Sequence, residues 1–405
     1  MNAPLSRRAF LRRAGAGVTV VSLGGLLPAC GQEGSSAEAP SFHDEPSGIL
    51  NFANWPLYID KEFRDDGTKY SRTLTDFTEK TGIQVNYREV IQESDWFYQR
   101  IEPRLAAGEP TGWDIIVITN GITLTKLKEN GYLVELPSDM RPDFDDHAGA
   151  FVVDPSYDPG NRYTMAWQSG ITGIAYDPEL TGGEITSLQA LFDPAYRGKV
   201  GMFGEIVDTP NLAILATGVD PEVSTEDDWH AAADLLVQQR DSGILKGYDQ
   251  QTYISALRRG DVAITMAWSG DIFAAKALGK IPGRIRFVIP TEGALLWTDN
   301  MCVPQGATHL ADAITMMDWV YKPRVAAQIA QFVNSITPVP DARIELERMA
   351  AAATDPAESV RLLDVASSEL VFPTDTSNLH TYRELPTAEE SQAWDDAFRS
   401  IYAGA

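Results

Sequence analysis

Only two cysteines, Cys30 and Cys302, occur in 405 residues, so a disulfide framework is not what holds this fold. Five histidines, His43, His147, His230, His309 and His380, are scattered without metal-ligand spacing. No GxSxG, P-loop, HExxH or CxxC motif is present, which removes the commonest sequence signatures of hydrolases, nucleotide hydrolysis, zinc proteolysis and thiol redox chemistry. Positive charge is also scarce: 33 Lys and Arg stand against 57 Asp and Glu, a formal net charge of -24. Such a chain repels nucleic acid and anionic headgroups and favours cations near its surface, although charge alone also serves plain solubility. No apolar run reaches the ~20 residues that span a bilayer.

What is present starts at the N-terminus. Ser6 to Arg13, SRRAFLRR, is a twin-arginine stretch, and AGAGVTVVSLGGLLPA follows as a short glycine-broken apolar run. That combination is a signal peptide rather than an anchor helix, and the paired arginines point to the Tat route. The run ends in LLPAC, with Ala29 before Cys30, which resembles the lipobox of bacterial lipoproteins. Residues 1–29 therefore read as a Tat-type lipoprotein signal peptide and Cys30 as the acylated first residue of the mature chain. An ordinary cleaved export signal is the alternative. Residues 30–48, rich in Gly, Ser, Pro and acids, read as a flexible tether. Loss of the four leader arginines takes the charge from -24 to -28. With Cys30 lipidated, no intramolecular disulfide is available, and Cys302 in its apolar run is a small core residue.

From Ile49 onward, strand-like and helix-like segments alternate. ILNFANW, IQVNY, WDIIVIT, RGKVGMF, VAITMAW, IRFVIP and ALLWTDNMCVP have strand patterns; TLTDFTEKTG, SDWFYQRIEPRLAAG, ITLTKLKENG, TPNLAILATG and EDDWHAAADLLVQQRDSG have helical ones. Gly82, Gly131 and Gly218 sit where helices should stop, and Pro103 should break or kink its helix. In DTPNLAILATG, Thr209 is the expected N-cap with Pro210 at the first helical position. Alternating units of this kind give an α/β fold with parallel strands and helices on the sheet faces. The length implies two lobes, with a ligand site between them near the carboxyl ends of strands.

Two stretches pair indoles with carboxylates. GALLWTDNMCVP places Trp297 and Asp299 two apart, on one face of an extended strand, and VAITMAWSGDIF ends with Trp268 and Asp271. A core face would need the acid neutralised, and a plain surface would waste the indole; a cation satisfies both. The bland alternatives are core packing for each tryptophan, a turn role for Asp299, an N-cap role for Asp271, and a solvated loop with a helix cap for Glu205 and Asp208.

Here the segments line up with a known family. NFANWPLYID, GWDIIVIT, WQSGITGIAYD, YRGKVGMFGEIVDT, MAWSGDIF, EGALLWTDNMCVP and VNSITPVP resemble, in order, the polyamine (spermidine/putrescine) substrate-binding proteins of ABC importers, over roughly residues 48 to 405. The resemblance implies a two-lobed Venus-flytrap fold of type II, with residues 49–165 plus 299–343 as one lobe and 166–298 plus 344–405 as the other. It implies an exported, lipid-anchored monomer that needs no cofactor or metal, binds no nucleic acid, and hands an organic polycation to membrane permease subunits. It also implies site residues: Trp55 and Tyr58 from the first loop, Thr119 as a hydroxyl contact, Glu205 and Asp208, Trp268, and Trp297 with Asp299. Trp167 and Gln168 are candidates for lining the hinge or supporting it from below. The chain departs from the family where Leu57 replaces an acid, Asn120 and Gly121 an aromatic, and Ser335 a tyrosine.

The chemistry fits the residue types. An aliphatic polycation needs a carboxylate for each desolvated ammonium and apolar walls for its methylenes, and each indole face adds about 0.5–2 kcal/mol of cation–π attraction. A flytrap receptor for sugar, iron or another cation is the near alternative. A carbohydrate hydrolase with paired acids is the remote one, and an enzyme is not expected.

Overall fold

The computed structural model describes residues 40–64, 66–249 and 252–402; the leader and Cys30 lie outside the described residues. In chain order, β1 (Ile49–Asn54), a ribbon of β2 (Glu62–Phe63) and β3 (Lys69–Tyr70), β4 (Gln84–Glu89) and β5 (Ile115–Thr119) precede the long β6 (Met165–Tyr176). Then β7 (Val200–Met202), β8 (Leu245–Tyr248), β9 (Ile264–Trp268) and β10 (Arg286–Val288) lead to β11 (Ala294–Cys302) and β12 (Leu379–His380). The main sheet runs in the order β4-β1-β5-β11-β6-β9-β7-β8, with β10 beside β6 and β12 beside β11.

Its ends are parallel, β4 on β1 on β5 at one side and β8 on β7 on β9 at the other. Its centre is antiparallel, because β11 opposes both β5 and β6, and β6 opposes β9. The parallel expectation thus holds within each half and fails at the join, where the chain passes straight from one lobe into the other. Two separate cores follow from this. Leu50, Phe52, Phe77, Ile115, Met165, Met301 and Met317 share one; Ile174, Met202, Phe203, Leu212, Trp229, Ile264 and Phe398 share another. Among the described residues, β6 and β11 are the strands that supply both, Met165 and Trp167 against Ile174 and Tyr176, and Met301 against Leu295. They are the strands that join the two cores.

The structure moves one expected boundary. Leu346, Leu362, Val365 and Val371 lie in the core of Leu50 and Met301, so residues 344–371 pack with the first lobe, not the second. Helix Ala342–Ala352 follows closely on helix Pro323–Val333, and an amphipathic helix on a short connection buries its apolar stripe on its neighbour. Trp394 and Phe398 do lie in the second core. Pro103 does not break its helix, which runs Ser94–Ala106, although its missing N–H removes one intrahelical hydrogen bond there.

Candidate functional site

Strand register determines where the acidic side chains stand. On β11, Asp299 lies opposite Thr119 on one side and Gln168 on the other, and the ladder with β6 slips between Asp299 and Asn300. Such an irregularity re-aims a side chain. Thr119 Oγ1 donates to Asp299 Oδ1 at 2.6 Å and the Tyr58 hydroxyl to Oδ2 at 2.6 Å. Asp299 is only 5% exposed. Burial pushes its carboxyl from the ordinary 3.8 up to about 6, the two hydroxyl donors pull it back, and the charge of Asp208 adds to the rise. Tyr58 is presented by a loop that turns at Leu57, a non-glycine residue at φ 60. The backbone N–H of Leu57 is held at 2.7 Å by Glu89 Oε1, the kind of external tie such a conformation requires. In the same loop, Trp55 Nε1 donates to the carbonyl of Val117 at 3.2 Å.

The second-lobe acids lie around the start of helix Asp208–Ala216. The expected cap is not the observed one. Thr209 is buried with its hydroxyl on the carbonyl of Phe203 at 2.8 Å, and the helix begins two residues earlier than expected, at Asp208. Glu205 covers the exposed N–H groups instead, accepting from Val207 at 2.6 Å, Asp208 at 3.0 Å and Thr209 at 3.1 Å. The longer side chain reaches back over the turn, where helix-end N–H groups attract a negative charge. Asp208 faces the site: Oδ1 accepts from Thr172 Oγ1 at 3.0 Å and from the hydroxyl of Tyr382, and Oδ2 accepts from Trp268 Nε1 at 3.0 Å. Burial raises both carboxyls above their usual range, and for Glu205 the neighbouring Asp208 charge adds to it. No Lys, Arg or His forms an ion pair with Glu205, Asp208 or Asp299 among the described residues.

The indoles converge on Asp208. Trp297 Nε1 donates to Thr172 Oγ1 at 3.1 Å, which continues to Asp208. Its ring lies flat over Gly170, the residue directly opposite on β6; a Cβ there would stand 2.3 Å from Trp297 Cζ2. Trp268 packs on Phe203 with ring centroids 4.7 Å apart. Trp297 and Trp268 are half-buried, so each keeps an open edge as well as a packed one.

The remaining candidates divide. Trp167 is fully buried, edge-on to Phe52 at 5.5 Å with its N–H on the carbonyl of Tyr58 at 3.0 Å. Gln168 is buried beside it, donating to the carbonyl of Trp167. Trp167 thus supports the Tyr58 loop, and Gln168 lies opposite Asp299 on β6. Asp271 lies in the first turn of helix Ser269–Ala277, exposed at the surface, and does not cap it. Its carboxylate instead accepts the Tyr253 hydroxyl at 2.8 Å. Tyr382 and Thr172 are site neighbours that the sequence motifs did not single out. An aromatic ring does stand against Gly121, but it belongs to Tyr382. Among the described residues, no group of three or more His, Cys, Asp and Glu is arranged to hold a metal ion. The arrangement is suited to holding a cation, with no activated nucleophile beside a base.

The model of a bacterial extracellular solute-binding protein family matches residues 73–357, well over half of the chain. A spermidine/putrescine-binding periplasmic protein 1 of Haemophilus influenzae is 24% identical over 313 residues, 77% of this chain and 81% of the relative. The putrescine-binding periplasmic protein SpuD of Pseudomonas aeruginosa is 25% identical over 301 residues, 71% of this chain and 77% of the relative. A solved structure of a putative spermidine/putrescine ABC transporter protein from Listeria monocytogenes shares the fold, with a TM-score of 0.68 at 24% identity, over 88% of this chain and 99% of that one. These relatives are named for binding and transport, not for catalysis. The chain belongs to the bacterial extracellular solute-binding proteins, a two-lobed family that captures solutes outside the cytoplasm and is not enzymatic.

Proposed function

We propose that this protein is the receptor of an ABC importer for polyamines, closing its lobes on an aliphatic cation held between Asp299 and Asp208. One observation carries the reading: three acids converge with Trp268 and Trp297 at the lobe junction, and no basic side chain answers them among the described residues. Buried carboxylates are costly without a positive partner, and an alkylammonium supplies one. The indoles would take the intervening methylenes. Relatives named as spermidine/putrescine-, putrescine/agmatine- and putrescine/cadaverine-binding proteins support the ligand class. Trp55, Tyr58 and Thr119 complete the first-lobe wall in this reading, with Trp167 and Gln168 behind it. Asp271, at the surface, stands at its edge.

A thermal-shift screen tests it, with putrescine, cadaverine, spermidine, spermine, agmatine, choline, ferric ion and maltooligosaccharides. Binding to the native state alone raises the melting temperature by mass action. A shift is expected with at least one di- or triamine and none with the sugars. A response to sugar or iron alone removes the proposal. The leader adds a second part: Cys30 carries the lipid that tethers the receptor to the membrane. Radiolabelled palmitate should enter the wild-type protein and not Cys30→Ala; equal labelling of both would refute it.

A further inference from the structure

The C-terminal segment brings one more side chain into the acidic cluster. Strand β12 pairs in parallel with Ala294 and Leu295 of β11, and just beyond it Tyr382 turns inward until 3% of its surface remains exposed. Its hydroxyl donates to Asp208 Oδ1, the oxygen already engaged by Thr172. Flanking contacts fix it there. The N–H of Arg383 donates to Asn211 Oδ1 at 2.9 Å and its guanidinium to the carbonyl of Glu222 at 3.0 Å, both in the second lobe. Glu384 accepts the hydroxyl of Thr125 from the helix that follows β5. The ring packs against residue 121, a glycine because its φ of 103 excludes most side chains. Burial first, then the charge of Asp208 and more weakly those of Glu205 and Asp299, keep the phenol protonated. The hydroxyl is therefore a fixed, neutral donor to Asp208.

Donors are unevenly distributed over those acids. Asp299 receives one hydroxyl on each oxygen, Glu205 engages three backbone N–H groups, and Asp208 receives three side-chain donors, the third from Tyr382. Building on the cation reading above, we propose that Tyr382 is a specificity-determining residue, its hydroxyl occupying at Asp208 the place of a further ammonium, so that the site selects a short diamine over a longer triamine. A triamine that brings another charge to Asp208 must displace the phenol, and a buried hydroxyl stripped of its acceptor opposes that displacement. A diamine leaves it in place.

Calorimetric titration of the purified exported protein with putrescine and with spermidine, in wild type and Tyr382→Phe, tests this. Wild type should prefer putrescine by about ten-fold or more, and Tyr382→Phe should reduce that preference about ten-fold through tighter spermidine binding, with putrescine affinity almost unchanged. A merely structural role for Tyr382 would weaken both ligands alike, and that result overturns the inference. A wild-type preference for spermidine overturns it without any variant, even should Tyr382→Phe fail to fold. Wild-type silence toward every amine instead overturns the cation reading, and this inference with it.

Discussion

Replacing Asp299 with asparagine is expected to stabilise the ligand-free protein and weaken the ligand, two effects of opposite sign from one carboxylate. Burial carries this carboxyl from the ordinary 3.8 to about 6. Because the folded acid holds its proton more tightly than the unfolded one, the corresponding stability is present below about 3.8 and is lost as pH rises through about 6. At neutral pH that loss amounts to about 3 kcal/mol relative to a solvated acid. Asparagine carries no charge to desolvate, but its amide accepts only one of the two hydroxyls now donated by Tyr58 and Thr119 and must donate to the other. The net gain should be about 1–2 kcal/mol, a rise of a few degrees in Tm at pH 8. Binding should move the other way, by about 1.5–3 kcal/mol or 10- to 150-fold for an amine, because a charge-assisted partner is removed. The pH gives a further signature. Wild-type affinity should climb from pH 5 to 7 as Asp299 ionises, and the gap between wild type and Asp299→Asn should narrow towards pH 5. Differential scanning calorimetry without ligand and titration calorimetry with putrescine at pH 5 and 8 measure both. A variant with lowered Tm and unchanged Kd would refute the reasoning, since it would make Asp299 a structural acid.

Gly170→Ala should displace the Trp297 ring, since its Cβ would stand 2.3 Å from Cζ2; amine affinity should fall at least ~10-fold and stability by about 1–3 kcal/mol. Unaltered binding in that variant would separate Trp297 from the site. Glu205→Ala removes the carboxylate that covers three N–H groups at the start of helix Asp208–Ala216, and should cost about 1 kcal/mol of stability by denaturant titration. A variant as stable as wild type would deny Glu205 its capping role.

Local pattern made much of this molecule legible. The alternation of apolar runs with capped helices gave the α/β class, and Gly82 does end its helix in the left-handed conformation, at φ 78. Trp297 and Asp299 fall on a single strand, as their spacing implied. The errors share a cause. Thr209 looks like a cap, but the long Glu205 side chain folds back to do that work. Asp271 sits beside an indole in sequence, yet it turns to Tyr253 at the surface. At Thr209 a competitor placed by packing made the expected bond, and at Asp271 the named group took another partner instead.

The sequence by itself determined what requires only neighbouring residues: strand and helix periods, a glycine stop such as Gly82, and the supply of acids and indoles with few cations to answer them. Which of those groups meet was decided by the tertiary structure. The antiparallel pair β6 and β11 sets Gly170 beneath Trp297, and the chain brings Tyr382 to Asp208 across 174 positions. Helices 342–366 joined the first core for the same reason. Burial is a property of the whole packed surface, so no stretch of sequence, taken alone, says which carboxylate loses its water or which donor takes the water's place.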